Sequence, residues 1–243
     1  DDRNFVGRVG IKGTRAGNFA MQNCDLLLVI GCRLPVPVTG YNYKTFARDA
    51  EVIVVDIDKE EHSKDTIKID RFIHRDAKDF LDLYWFNRSK DDWNYLCEEW
   101  KEKWPVCPLE NPSEKVDLYY FMQCLNTLKR DDDVVISDAG SAFYVCAQAI
   151  EIKGNQRFVT SSSQAEMGFT IPACIGAAFA KDGDVIGVTG DGSFMMNMQE
   201  LQTIAHYNLP VKVFVWNNDG YLSIRTTQKK FFEGREIGTD SES

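Results

Sequence analysis

Between residues 116 and 216 the chain alternates short apolar runs with segments of helical periodicity, and that alternation restricts the fold more than any other feature. Residues 134–137, 157–160, 185–189 and 211–216 are short, apolar and rich in β-branched side chains, so they read as strands. Residues 116–129, 142–150, 171–180 and 194–207 read as helices. In the last of these Met195, Met198, Leu201, Ile204 and Ala205 fall on the apolar side. Strands that alternate with helices predict a mostly parallel sheet covered on both faces.

The first part of the chain carries a shorter version of the same pattern. Residues 13–23 read as a short helix, and residues 26–30 form an apolar run ended by Gly31. A second run, 51–57, ends at Asp58, and between the two lie Pro35, Pro37, Gly40 and a short helix at 43–50. This is a βαβ-like layout. Farther on, Trp93, Leu96, Cys97, Trp100 and Trp104 form a helical stripe closed by Pro105 and Pro108. Such a stripe reads as a linker helix packed onto a domain, with a ligand surface as the other reading. The expectation is an α/β fold of two doubly wound, parallel-sheet domains at residues 1–88 and 116–243. A linker at 89–115 joins them, and the clearest boundary is 105–113.

Composition removes several functional classes. The net charge is −9 with Lys and Arg scattered, which argues against a nucleic-acid surface. No apolar run approaches the ~20 residues of a membrane-spanning helix. The opening Asp1-Asp2-Arg3-Asn4 has no signal-peptide pattern. The seven cysteines include no Cys-x-x-Cys pair and several sit in apolar stretches, as reduced core thiols do. A cytoplasmic location is therefore expected. The three histidines are far apart, so a histidine-based metal site is not expected.

Two short motifs carry the chemistry. Gly190-Asp191-Gly192-Ser193 follows one strand and Asn217-Asn218 follows the next, with one helix between. Two parallel strands joined by a helix cross over right-handed and are often neighbours, which brings Asp191 and the asparagines to one carboxyl edge of the sheet. One carboxylate and one amide are too few for an all-protein Mg²⁺ cage. They suit a metal that also binds phosphate oxygens. Gly190 and Gly192 allow a sharp turn, and the N–H groups of Gly192 and Ser193 face an anion at a helix start. Either motif alone would be an ordinary capped turn or loop.

Gly-Asp-Gly followed by Asn-Asn at this separation resembles the signature of thiamine diphosphate enzymes. The stretch from Gln164 to Ala178, which includes Glu166-Met167-Gly168-Phe169, resembles the segment that precedes the signature in acetolactate synthases. Phe5-Val6-Gly7 through Gly31-Cys32-Arg33, Val38-Thr39-Gly40 and Val54-Val55-Asp56-Ile57-Asp58 resemble the second half of their middle domain. The resemblance covers nearly the whole chain, with the tryptophan-rich stretch as its weakest part.

The resemblance implies roles for individual residues. Asp191, the Asn218 side chain and the Gly220 carbonyl would bind Mg²⁺. Gly190, Gly192 and Ser193 would hold the diphosphate, with Tyr221 also at the cofactor. Gly140, Ser141 and Ala142 would form a second diphosphate loop, although the family often has Gln-His at Ser141-Ala142. Met167 would support the bent cofactor and the Ala165 carbonyl would accept from its aminopyrimidine. The implied activity is decarboxylation of a 2-oxo acid, pyruvate first, and ligation to a second carbonyl compound in branched-chain amino acid biosynthesis.

The family's catalytic Glu lies in a pyrimidine-binding domain outside this chain, so the catalytic residue is unknown here. Neither Glu166 nor Glu200 is assigned that role. Both domains are expected to be incomplete, the chain inactive alone, and the intact protein a homodimer or tetramer. FAD is a further candidate cofactor, since Gly13, Arg33 and Asp58 sit where flavin contacts would lie. Against it, Leu34-Pro35-Val36-Pro37 stands where the family has Phe-Asp-Asp-Arg. The stretch from Asp219 to Gln228 also departs from the acetolactate synthase pattern. Tyr221 and Arg225 there either face a larger or more acidic substrate or anchor the loop. Two other readings stay open: action on another 2-oxo acid or a sugar-derived substrate, and an inactive assembly partner.

Overall fold

The computed structural model describes residues 4–83, 92–111, 113–161, 164–181 and 183–239. The expected boundary at 88–89, the opening Asp1 to Arg3 and residues 240–243 lie outside the described residues. Two compact units divide between Val106 and Cys107. Each has its own sheet, and every strand pair in both is parallel.

In the first unit, Thr14 starts α1 (Arg15–Asn23) by accepting from the Gly17 N–H at 3.0 Å. β1 (Leu26–Ile30), β2 (Glu51–Asp56) and β3 (Arg71–His74) form a sheet of order β1-β2-β3. The middle strand is the most buried, and Val54 and Val55 are fully covered. Between β1 and β2, Pro35 opens the single turn α2 (Val36–Thr39). The helix expected at 43–50 is only a 3₁₀ turn at Tyr43–Thr45, because Ala47 takes a positive φ of 42° that no α-helix contains. β3 and the short α3 (Ala77–Leu83) have no counterpart in the sequence reading.

The tryptophan stripe lies on α4 (Asp92–Lys103), with Trp104 directly after its end, and packs on α1. Trp100 and Trp104 meet Phe19 edge-on at 5.8 and 4.9 Å between ring centroids, and Trp93 meets Trp100 at 5.8 Å. These contacts make the stripe a packing surface.

The second unit begins with α5 (Leu118–Leu128), capped by Asp117, whose Oδ1 accepts from the Tyr119 and Tyr120 N–H groups. β4 (Val134–Ser137), α6 (Gly140–Ala149), β5 (Arg157–Val159), α7 (Thr170–Ala180) and β6 (Val185–Gly190) follow. Then come α8 (Asp191–Asn197), α9 (Leu201–His206), β7 (Val211–Trp216) and α10 (Leu222–Phe231). The sheet order is β5-β4-β6-β7. β4 and β6 are buried along nearly their whole length, as their unbroken apolar runs require, whereas β7 at the edge is partly exposed.

The strand order has one functional consequence. From β4 the chain moves outward to β5 and then crosses back to β6 on the other side of β4. The direction of winding therefore reverses between β4 and β6, and the loops that leave these two strands part at the carboxyl edge. A crevice forms there in folds of this kind.

The helix expected at 194–207 is broken. Asn197 leaves helical geometry (φ −138°, ψ 28°), and its amide donates to the Gly168 carbonyl at 2.8 Å. A 3₁₀ turn, Met198–Glu200, then joins α8 to α9. Among the described residues no helix is long and apolar enough to cross a membrane.

All seven cysteines are free thiols. Burial pushes Cys146 and Cys174, on α6 and α7, up to about 12. Alkylation at pH 8 followed by mass spectrometry is expected to leave both unmodified in the folded protein and to label both after denaturation. Modification of either in the folded protein would contradict the packing described here.

Candidate functional site

The β6–β7 ladder sets the geometry of the site. Gly190 pairs with Trp216, so Asp191 and Asn217 leave neighbouring strands side by side. Asp191 opens α8 and joins the two loops. Its Oδ2 accepts from the Gly220 N–H at 2.7 Å and its Oδ1 from the Gly192 N–H at 3.0 Å. A carboxylate has about four acceptor positions, so both oxygens keep lone pairs for a cation.

The two asparagines differ in role. Asn217 Oδ1 accepts from the Asp219 N–H at 2.9 Å and shapes the turn. Asn218 Oδ1 is buried and has no hydrogen-bond partner. A buried amide oxygen without a partner costs about 1–3 kcal/mol, which a hard cation would offset. The turn continues through two positive-φ residues, Asp219 (63°) and Gly220 (100°). Arg225 holds it from α10: its Nη1 donates to the Asp219 carbonyl at 2.5 Å and its Nη2 to the Asn218 carbonyl at 2.9 Å. Of the two roles open to Arg225 in the sequence, these contacts make it a loop anchor.

Tyr221 follows the turn. Its N–H donates to the Thr239 carbonyl at 2.9 Å, and its ring lies against Gly192. A Cβ on Gly192 would fall 2.5 Å from the Tyr221 ring, so only glycine allows this approach.

A cavity of about 220 Å³ opens at the same edge. Three segments from the sequence reading line it: Gly140, Ser141 and Ala142; Ala165 and Met167; and Gly190, Asp191, Gly192 and Ser193. Asn218, Gly220 and Tyr221 also line it, so every residue expected to hold thiamine diphosphate or Mg²⁺ meets at one place. Gly140 takes a positive φ of 58° at the start of α6 and Ala165 one of 53° in the turn before α7. Asn197 holds that turn through Gly168, where a Cβ would fall 2.9 Å from the asparagine amide.

The sequence reading missed several lining residues: Tyr144, Trp216, Leu222, Ser223 and Ile224. The last three belong to α10, whose sequence is weakly patterned. The Thr226 and Thr227 hydroxyls bond back to the Leu222 and Ser223 carbonyls within it. Trp216 had a usable signal as the aromatic end of an apolar strand. Glu166 is exposed, with its N–H on Ser161 Oγ at 3.1 Å, and Glu200 accepts from the Thr203 hydroxyl at 3.1 Å. Neither lines the cavity.

The donor set suits a hard divalent cation. It offers one carboxylate, one amide oxygen and backbone carbonyls, and among the described residues there is no group of three or more His, Cys, Asp or Glu side chains placed to hold a metal. A cation here would need further oxygens from phosphate or water.

Residues 138–243 match the family model described as thiamine pyrophosphate enzyme, C-terminal TPP binding domain, and residues 1–83 match the central domain of the same enzymes. The chain belongs to the thiamine pyrophosphate enzymes. Thiamine pyrophosphate is thiamine diphosphate, and its binding domain spans the cavity described above. The chain is 35% identical over 234 residues to the acetolactate synthase isozyme 2 large subunit of Escherichia coli K12, covering 95% of this chain and 42% of that protein. It is 33% identical to the acetolactate synthase large subunit of Cyanidium caldarium, covering 95% of this chain and 40% of that protein. Identity to the Escherichia coli isozyme 1 large subunit is 31%, with 94% and 41% covered. The chain thus spans about two fifths of the length of these relatives.

The FAD candidates in the first unit have internal partners. Arg33 pairs with Glu61 at 3.0 Å, and Asp58 Oδ1 accepts from the Glu61 N–H at 2.9 Å. A Cβ on Gly13 would fall 2.5 Å from the Arg8 carbonyl oxygen.

Gly192→Ala is expected to displace the Tyr221 ring and to cost about 1–3 kcal/mol in urea unfolding. Tyr221→Ala in the same chain should recover part of that loss. Strictly additive effects in this double-mutant cycle would show that the two residues do not touch.

Proposed function

We propose that this chain is the Mg²⁺–thiamine diphosphate-binding part of an acetolactate synthase-like enzyme, which decarboxylates a 2-oxo acid and ligates the product to a second carbonyl substrate. Pyruvate is the proposed donor. The observation that carries the metal assignment is the buried, unpartnered Asn218 Oδ1, on the strand loop next to Asp191. The names of the relatives, acetolactate synthase large subunits, support the activity.

In this reading Asp191, the Asn218 amide oxygen and the Gly220 carbonyl hold the cation. The Gly190–Ser193 and Gly140–Ala142 loops take the diphosphate. Arg225 keeps the Asn218–Gly220 turn in shape by bonding two of its carbonyls. Met167 and the Ala165 carbonyl, both on the cavity wall, orient the remainder of the cofactor. Thiamine diphosphate, when bound, supplies an electron sink for breaking and making carbon–carbon bonds next to a carbonyl group. Tyr221, Leu222 and Ile224 add largely apolar surface to the cavity wall.

FAD is left out of this assignment, because Arg33 and Asp58 are both engaged at Glu61 and the Gly13 backbone is packed against Arg8. The catalytic Glu is assigned to a pyrimidine-binding domain outside this chain, in a homodimer or tetramer of the full-length protein. Seven free thiols suit a reducing cytoplasm.

Calorimetry on the full-length protein tests the reading. The wild type should bind thiamine diphosphate in the presence of Mg²⁺, and Asp191→Ala should weaken binding by ~100-fold or more. Equal affinities in the two proteins, or no binding by the wild type, would refute it.

A further inference from the structure

Asp138 is a fully buried carboxylate that no metal or diphosphate role above uses. It follows β4 directly and faces the place where the winding of the sheet reverses. Its Oδ1 accepts from the Ala139 N–H at 2.7 Å. Its Oδ2 accepts from the Thr189 hydroxyl at 3.0 Å and from the Thr170 N–H at 3.4 Å. Thr189 is itself almost fully buried and precedes Gly190 at the end of β6. Thr170 opens α7, directly after the turn that carries Ala165 and Met167. Ala139 leads into Gly140.

One side chain therefore joins the roots of three cavity-lining segments, one from each of three separate stretches of chain. Two observations argue against a purely space-filling role. Removing a carboxylate from water is costly unless donors replace the water, and the donors here come from those three segments. In addition, the Asp138–Thr189 bond spans β4 and β6 at the reversal point, where α/β folds bind ligands. A shift in either loop would lengthen that bond.

We propose that Asp138 is a positioning residue for the cofactor: its carboxylate sets the spacing of the Gly140 loop, the Ala165–Met167 turn and the Gly190 loop, and so tunes affinity for Mg²⁺–thiamine diphosphate. The proposal rests on the cofactor reading above. Asp138 touches the cavity only through its neighbours and takes no part in the chemistry.

Variants of the full-length protein separate this role from general stability. An amide at 138 keeps the shape but presents NH₂ to one of its donors, so Asp138→Asn should weaken thiamine diphosphate binding at saturating Mg²⁺ by roughly tenfold or more. Thr189→Val removes a single hydroxyl donor and keeps the side-chain shape, and should weaken binding several-fold. Thr189→Ser keeps the donor and should restore wild-type affinity. The thermal midpoint of each cofactor-free variant is measured in parallel. If Asp138→Asn fails to fold, the Thr189→Val and Thr189→Ser pair decides. Thr189→Val binding like wild type, or Thr189→Ser binding as weakly as Thr189→Val, would overturn the positioning role while Asp191→Ala still lost the cofactor. A wild-type protein that binds no thiamine diphosphate would overturn the cofactor reading and this proposal together.

Discussion

The site depends first on the parallel ladder between β6 and β7. Its register, with Gly190 opposite Trp216, fixes where the chain leaves each strand. A shift of one residue would move Asp191 and Asn218 out of step and turn each strand's side chains to the opposite face. The ladder is protected by burial, since β6 is covered along nearly its whole length and β4 shields its other edge. The apolar strands thus do more than stabilise the unit: they set the positions of a carboxylate and an amide that lie too far apart in sequence to be fixed by local structure.

Around that ladder the loops are held by specific polar contacts. Asp191 ties its own loop to Gly220, Arg225 ties the asparagine turn to α10, and Asn197 ties the turn before α7 to α8. Each contact crosses between segments that line the cavity. Three residues of the cavity wall, Gly140, Ala165 and Gly220, take positive φ angles, and Asp219 beside Gly220 does the same. Among these contacts Asn218 Oδ1 is buried without a hydrogen-bond partner.

The sheet and the motifs were legible in the sequence for different reasons. Buried parallel strands are unbroken apolar runs, so 134–137 and 185–189 stood out, and the edge strand 211–216 did so through its valines and aromatics, interrupted only by Lys212. Gly-Asp-Gly and Asn-Asn use residue types whose chemistry is visible without coordinates. The first unit was read less fully. β3 is four residues with polar ends, Arg71 and His74, and carries no periodicity, and Ala47 breaks the helix expected at 43–50. The break at Asn197 answers a tertiary contact, Gly168, that local pattern does not encode. α10 was missed because its threonines and lysines hide a helix whose first turn lines the cavity. Asp138 was missed because an acid after a strand looks like an ordinary turn residue until its three donors are seen.

The central claim is that Asp191, Asn218 and Gly220 together hold a metal that carries the cofactor. Its most direct test is a crystal structure of the full-length protein with thiamine diphosphate and Mn²⁺ in place of Mg²⁺, with the metal located by its anomalous scattering. The account predicts one strong peak bonded to an Asp191 oxygen, Asn218 Oδ1, the Gly220 carbonyl and diphosphate oxygens. A metal bound away from Asn218, or a diphosphate held outside the Gly140 and Gly190 loops, would contradict it.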